Sequence, residues 1–131
     1  MADQEQDDVL ELFSAPIAGG TTHKLNPTLA TGGDVSRTFH ILPNNLGVVY
    51  TAKQEENEVN GLYIASILDG PVLKLNGALV KGGSVTPSGV NVSSDSQAVV
   101  YRADQERDEK FELFITFEGL DMYLPLVVSG E

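Results

Sequence analysis

The amino-acid sequence predicts an all-β fold in which antiparallel four-stranded sheets repeat along the chain. A phrase near the N-terminus, ADQEQDDVLELF at positions 2–13, returns as ADQERDEKFELF at 103–114 with eight of twelve residues identical. Apolar segments of about five residues alternate with turn signals, a spacing typical of an antiparallel meander. No segment keeps the 3.6-residue apolar periodicity of an amphipathic helix over three turns.

The repeat has a spacing of 50 and then 51 residues. A weaker copy of the phrase, AKQEENEVNGLY, lies at 52–63. HKLNPTLATGGDV matches LKLNGALVKGGSV 50 residues later, and GVVYTAKQEENE matches AVVYRADQERDE 51 residues later. Self-similarity at such a period is typical of stacked structural units. The chain therefore divides into a half unit at 1–36, a full unit at 37–87 and a full unit at 88–131 with a divergent last strand.

Each full unit begins with two predicted strands. The first is RTFHIL at 37–42 or SGVNVS at 88–93, where apolar and polar residues alternate as in a half-buried strand. The tight turns PNN and SDS follow, because Asn, Asp and Ser bond their own backbone. The second strand, GVVYTA or AVVYRA, is rich in β-branched and aromatic residues, and we expect it to be covered on both faces.

An acidic loop leads to the third strand, ELFSAPI at 11–17, GLYIASI at 61–67 or ELFITF at 112–117. A turn then leads to a fourth strand such as THKLN or PVLKLN, and a glycine-pair loop returns to the next unit. Four antiparallel strands that recur every 40–50 residues or so are the pattern of a β-propeller blade. If the strands are denoted A to D, the chain holds C-D followed by A-B-C-D twice, which is two and a half blades of an incomplete propeller. The residues that recur with the blade period at the aromatic positions are predicted to be core: Tyr50, Tyr63, Tyr101 and Phe114.

This pattern closely resembles the blades of TolB-type (WD-like) propeller repeats. The segments SSDSQAVVYRADQERDEKFELF and ELFSAPIAGGTTHKLN carry the resemblance, which covers all of the chain except the final segment. The sequence departs from the family at the turns, which read PNN and SDS in place of Pro-Asp-Gly, and in DMYLPLVVSGE, which lacks the KLN phrase. The resemblance implies a blade architecture, and this architecture hosts many functions.

Two and a half blades do not close a ring, since a propeller has at least about four. The blade faces are therefore expected to lie open to water and to act as association surfaces. These faces carry Val48, Val49, Tyr50, Leu62, Tyr63, Ile64 and their equivalents.

Because two and a half blades do not close a ring, two alternatives follow for how the chain is used. The chain is either a piece of a longer propeller, cut in mid-blade, or one of several copies that assemble into a ring. A start in mid-blade favours a truncation or a permuted seam, whereas the exposed faces favour a homo-oligomer over a free monomer. Strand exchange, in which the N-terminal C-D pair displaces the divergent C-terminal pair of a neighbouring copy, would allow such a ring.

The composition restricts the classes of partner that the protein could bind. A formal charge of −11 argues against nucleic acid and anionic membranes, which need a cationic surface, and it is compatible with cationic proteins or divalent cations. The chain has no cysteine and hence no disulfide or thiolate metal site. The acidic N-terminus is unlike a signal peptide, and no apolar run reaches the length of a membrane span, so we expect a soluble protein, cytoplasmic if it is full-length.

The acidic loops are weak calcium candidates. Carboxylates stand at every second position, as in calcium loops. However, Lys53 replaces the first carboxylate in the middle copy, and neither the turn glycine nor the distal glutamate of an EF-hand is present. A solvated loop is the favoured interpretation, and calcium-dependent assembly is the alternative. The candidate ligands are Asp3, Glu5, Asp7, Asp104, Glu106 and Asp108.

No residue is predicted to be catalytic, and no cofactor is predicted. His40 lies on an innermost strand, with Asn91 as its counterpart one unit later, but no activated-nucleophile motif accompanies it. His23 takes the place of Leu73 in a rim strand. The glycine pairs do not precede helices, so they lack the aligned amides of a phosphate site and are interpreted as turns.

The sequence thus predicts a non-enzymatic propeller segment that serves as a scaffold or protein-interaction module. The acidic B–C loops and the D–A glycine loops emerge on the same side of each blade, and this side is the predicted contact surface for a cationic protein or peptide. Its residues are Asp104, Glu106, Asp108, Gly32, Gly33, Gly82 and Gly83. The alternative is the non-catalytic propeller part of a larger hydrolase or peptidase.

Overall fold

The computed structural model describes residues 8–67 and 72–117, together with the backbone of the strand Tyr123–Pro125. Over these residues the chain forms β-strands and no helix, so the prediction of an all-β fold is confirmed. The strands are β1 (Phe13–Ser14), β2 (His23–Lys24), β3 (Val35–Ile41), β4 (Gly47–Glu56), β5 (Val59–Ser66), β6 (Leu73–Lys74), β7 (Val85–Val92), β8 (Ala98–Ala103), β9 (Glu112–Phe117) and β10 (Tyr123–Pro125).

The strands form three antiparallel sheets. β1 and β2 make an N-terminal hairpin, β3 to β6 make the middle sheet, and β7 to β10 make the last sheet, with neighbours in sequence paired throughout. Tyr50 faces Tyr63 across β4 and β5, and Tyr101 faces Phe114 across β8 and β9. The two four-stranded sheets therefore have the same register at positions 51 residues apart.

The first strand of each four-stranded sheet is interrupted by a bulge. In the middle sheet, Val35 pairs with Ala52 before the bulge and Phe39 pairs with Tyr50 after it. In the last sheet, the pairing jumps in the same way between Val85 and Val90. The bulge breaks the alternation of apolar and polar residues, which explains why the sequence pattern placed the starts of β3 and β7 later than the structure does.

The sheets stack face to face around two hydrophobic clusters. Side chains alternate between the two faces of a strand, so Tyr50 of β4 points to the N-terminal hairpin and Val49 points to the last sheet. The cluster beside the hairpin contains Leu12, Val35, Val48, Tyr50, Ala52, Tyr63 and Ala65. The cluster beside the last sheet contains Leu42, Val49, Leu62, Val85, Val90, Val99, Tyr101, Ala103 and Phe114.

The middle sheet is therefore covered on both faces, which confirms the expectation for the GVVYTA strand. The prediction that this sheet lies open to water is wrong, because the hairpin covers one face and the last sheet covers the other. Its residues Val48, Val49, Tyr50, Leu62 and Tyr63 are all buried.

The last sheet has an apolar face that points away from the middle sheet, which we call the outward face. The equivalents of Val49, Leu62 and Ile64 on this sheet are Val100, Leu113 and Ile115, which are half-buried. No other sheet within the described residues packs on them.

The recurring aromatic residues are core residues, as predicted. Tyr50, Tyr101 and Phe114 are at most 1% exposed. The rings of Tyr50 and Tyr63 stack with centroids 5.6 Å apart, and those of Tyr101 and Phe114 have the same separation. Burial raises the pKa values of Tyr50 and Tyr63 above the ordinary value, so these phenols remain protonated hydrogen-bond donors.

The VVYxAxQ motif has a structural explanation. The Tyr50 hydroxyl donates to Gln54 Oε1 at 2.8 Å, and the Tyr101 hydroxyl donates to Gln105 Oε1 at 2.7 Å. A buried hydroxyl needs such an acceptor. The glutamine four residues after the tyrosine supplies it in both units.

The asparagine of the KLN phrase joins the last strand of a unit to the one before it. Asn26 Oδ1 accepts the Leu12 N–H at 2.7 Å, and Asn76 Oδ1 accepts the Leu62 N–H at 2.8 Å. Each side-chain amide also donates to the carbonyl of the residue that follows it. The side chain thus replaces a backbone ladder bond where the short strands β2 and β6 end.

Candidate functional site

The acidic loops and the glycine loops meet at one end of the stack. Antiparallel order brings residues 28–34, 53–58, 78–84 and 104–111 to this end, which we call the loop end. The Ala30 N–H donates to the Gln54 carbonyl at 2.9 Å, and the Val80 N–H donates to the Gln105 carbonyl at 3.0 Å. Each glycine loop is therefore bonded to the acidic loop of the sheet that follows it.

The glycine pairs allow this close approach of two backbones. Gly82 has a φ of +83°, a left-handed conformation in which glycine avoids the strain of a side chain. A Cβ atom at Gly82 would lie against the carboxylate of Asp108, and one at Gly83 would collide with the carbonyl oxygen of Asp104. Gly32 and Gly33 make the equivalent approach to Asn57 and Lys53. Turn formation and packing account for both pairs.

The buried side chain of Asp104 fixes the conformation of its loop. Its side chain is buried, Oδ1 accepts the Ser84 N–H at 2.7 Å, and Oδ2 accepts the Glu109 N–H at 3.0 Å. Burial favours a higher pKa for this carboxyl, but the N–H donors of Glu109 and Ser84 outweigh it and hold the pKa below its ordinary value. Asp104 is thus a structural carboxylate, and the acidic groups that face solvent beside it are those of Glu106, Asp108 and Glu109.

Among the described residues, acidic side chains are concentrated at the loop end. It carries eight carboxylates, at positions 34, 55, 56, 58, 104, 106, 108 and 109, against four cationic side chains, at 53, 81, 107 and 110. The turns at 16–22, 43–46 and 93–97 lie at the opposite end and carry one carboxylate, that of Asp95. Among the described residues, carboxylates are therefore more numerous at the loop end than at the turns of the opposite end, which favours a negative potential at the loop end.

Two equivalent grooves open beside the glycine loops. One has a volume of about 330 Å³ between Tyr63, Lys74 and the loop containing Gly82, and the other has a volume of about 380 Å³ between Glu11, Lys24 and the loop containing Gly32. A lysine of the KLN phrase is paired in each, since Lys74 Nζ lies 3.1 Å from Glu55 and Lys24 Nζ lies 3.3 Å from Glu11.

These grooves were not predicted from the sequence. Hydrogen bonding from Lys74 is the main cause that lowers the pKa of Glu55, whose Oε1 also accepts the Tyr63 hydroxyl at 2.9 Å. The recurrence of lysine in KLN was the one signal available in the sequence, because the acidic partner comes from a different strand in each groove.

The remaining candidates lie apart from the loop end or outside the described residues. His40 faces Val49 from β3, Asn91 faces Val100 from β7, and His23 is exposed on β2. Asp3, Glu5 and Asp7 lie outside the described residues. Among the residues that are described, no group of three or more histidine, aspartate or glutamate side chains is arranged to hold a metal ion.

Comparison of the chain with protein-family models gives no match, and comparison with curated proteins gives no significant match. Over the part of the chain that the structure describes, no helix has the length and apolar character needed to cross a membrane.

Proposed function

We propose that the chain is a segment of a TolB-like β-propeller, about two and a half blades long, that acts as a non-enzymatic scaffold or protein-interaction module. The observation that supports this proposal most directly is the stacking of one hairpin and two four-stranded antiparallel sheets with equivalent contacts 50 or 51 residues apart. Stacked meanders of this length are the building units of propellers.

The contact surface that we propose for a partner is the loop end, and the partner is a cationic protein or peptide. Eight carboxylates concentrate there, and those of Glu106, Asp108 and Glu109 are exposed around a loop that Asp104 holds in place. A cationic partner would gain electrostatic attraction from these exposed carboxylates.

We expect a short polylysine peptide to bind the chain with an affinity that falls as salt is added. Combined replacement of Glu106→Gln, Asp108→Asn and Glu109→Gln should weaken binding about tenfold at low salt, because three exposed charges are lost while the Asp104 anchor is retained. Titration calorimetry at about 0.05 M and about 0.5 M salt measures both effects.

The matched control compares Glu106→Gln with Asp95→Asn, a single neutralisation at each end. Only the first should weaken binding. Equal affinities for the chain and the triple variant, or equal losses for the two single variants, would contradict the proposed surface.

The second partner that we propose is another copy of the chain, which contacts the outward face of the last sheet. The equivalent face of the middle sheet, around Val49 and Leu62, is fully covered within the chain. The face around Val100 and Leu113 has nearly the same side chains and no covering sheet within the described residues. Apolar patches of this kind mark association surfaces.

Light scattering tests this assembly. We expect a mass above the 14.0 kDa of a single chain, and we expect Ile115→Glu to return the mass to that of one chain, because a charge on the outward face opposes burial. Leu73→Glu, at a 57% exposed position on β6, is the control and should not change the mass. A wild-type mass of one chain at high concentration would refute the assembly.

A further inference from the structure

The N-terminal hairpin has one strand edge that is unoccupied within the described residues. β5 pairs with β4 on one side and β6 on the other, and β9 pairs with β8 and β10. β1 stands at the position of β5 and β9 in the repeat, but it pairs with β2 alone. Its second edge therefore presents backbone N–H and C=O groups of the kind to which an added strand can bond.

Two side chains beside this edge lack the cover that their equivalents have. Phe13 occupies the position of Tyr63 and Phe114, each of which stacks on a tyrosine of the adjacent strand. No aromatic ring among the described residues stacks on Phe13. Ile17 occupies the position of Ile67, which packs against the cluster beside the hairpin.

Comparison of Ile17 with Ile67 indicates which strands would cover the hairpin. The Ile67 N–H donates to the carbonyl of Leu46, in the turn between the first two strands of the middle sheet, at 3.2 Å. Ile17 is fully exposed. The uncovered groups at the hairpin are thus those that a preceding pair of strands covers in the middle sheet.

Hydrogen bonds and burial fix the hairpin in place without such a pair of strands. The Leu12 N–H is bonded to Asn26, the Leu25 N–H donates to the Leu12 carbonyl at 2.7 Å, and Leu12 itself is 2% exposed against the middle sheet. The Leu10 carbonyl accepts the Val35 N–H at 2.9 Å. A rigid edge reduces the entropy lost when a strand binds to it.

We propose that the free edge of β1 is an acceptor for a two-stranded segment of the Val-Val-Tyr type, supplied from outside these 131 residues, whose tyrosine stacks on Phe13. The strands of this type within the chain, β4 and β8, are already paired with β5 and β9. A second copy of the chain in the same fold therefore has no free strand of this type to offer. The inference rests on the proposed propeller role, but it uses a surface distinct from the loop end.

The test uses the full chain and a synthetic peptide with the sequence of residues 88–105, SGVNVSSDSQAVVYRADQ. We expect the peptide to bind with one-to-one stoichiometry and to slow hydrogen exchange at backbone amides within residues 11–15. Phe13→Ala in the chain, or alanine in place of the peptide tyrosine, should each weaken binding about fivefold to tenfold. The two changes combined should weaken it by less than the product of the single effects, because they remove the same contact.

Phe39→Ala is the matched control, since Phe39 is a 38% exposed aromatic residue on β3, and it should leave the affinity unchanged. Denaturant unfolding of Phe13→Ala checks that the hairpin remains folded. Absence of binding, or protection at the outward face of the last sheet in place of residues 11–15, would overturn the proposal. Protection of residues 11–15 that grows with protein concentration without peptide would also overturn it, because the edge would then be filled by a second copy. None of these results bears on the polylysine test of the loop end.

Discussion

Replacing Phe114 with alanine is expected to lower the free energy of unfolding by about 3–5 kcal/mol. The Phe114 ring is completely buried between the middle and last sheets and stacks on Tyr101. Its removal leaves a cavity in the cluster that holds these sheets together, and the surrounding strands can fill it only in part. Since small domains have total stabilities of about 5–15 kcal/mol, this loss would be a large part of the stability of the fold. Urea unfolding followed by circular dichroism measures the change.

The control for this prediction is Phe111→Ala, at the residue that precedes β9. Phe111 is 45% exposed, and the Arg102 guanidinium lies 4.3 Å from its ring centroid. An exposed cation–π contact contributes about 0.5–1 kcal/mol, so this variant should remain close to the original stability. A loss below about 1 kcal/mol for Phe114→Ala would show that the stacking of the two sheets is not the basis of stability.

Replacing Asn76 with alanine should lower the free energy of unfolding by about 2–4 kcal/mol. Asn76 is 2% exposed, accepts the Leu62 N–H and donates to the Gly77 carbonyl at 2.7 Å. Alanine fills neither role, so a buried donor and a buried acceptor lose their partners, and each such loss costs about 1–3 kcal/mol. Thermal unfolding provides the measurement, and amide exchange at Leu62 should accelerate more than the change in overall stability requires.

Asn91→Ala is the appropriate comparison, because Asn91 is exposed on β7 and surface substitutions usually change stability by no more than about 0.5 kcal/mol. If both asparagine variants had the same stability, the KLN asparagine would not replace a ladder bond as described above.

Much of the strand order could be predicted from the sequence. Tyr50 and Tyr101 recur with the period and are flanked by β-branched residues, so their burial followed from pattern alone. The strand pattern predicted that Val48 and Val49 are covered, but the count of blades led to the opposite and wrong prediction of open faces, although two and a half units leave open only the outermost faces. The error came from treating each unit singly, when burial depends on which units have a neighbour on each side.

The loop end shows where sequence reasoning is weaker. The position of Gly82 beside the acidic loop followed from strand order. The role of Asp104 did not follow, because it depends on the backbone N–H groups of Ser84 and Glu109, whose directions are set by the loop conformation. The residue type alone does not distinguish a carboxylate that anchors a loop from one that faces solvent. The same limit applies to Lys74 and Glu55, whose pairing requires two strands to be placed side by side.

The bulge in the first strand accounts for the unequal spacing of the repeat. Val35 and Val85 are 50 residues apart, whereas Phe39 and Val90, the next paired residues, are 51 apart. The additional residue therefore lies within the bulge of β7, where it changes no pairing on either side. One residue inserted into β4 would instead turn every later side chain of that strand to the opposite face and exchange its contributions to the two clusters. The bulge thus accommodates one additional residue without a change of register on either side, which the strand beside it could not do.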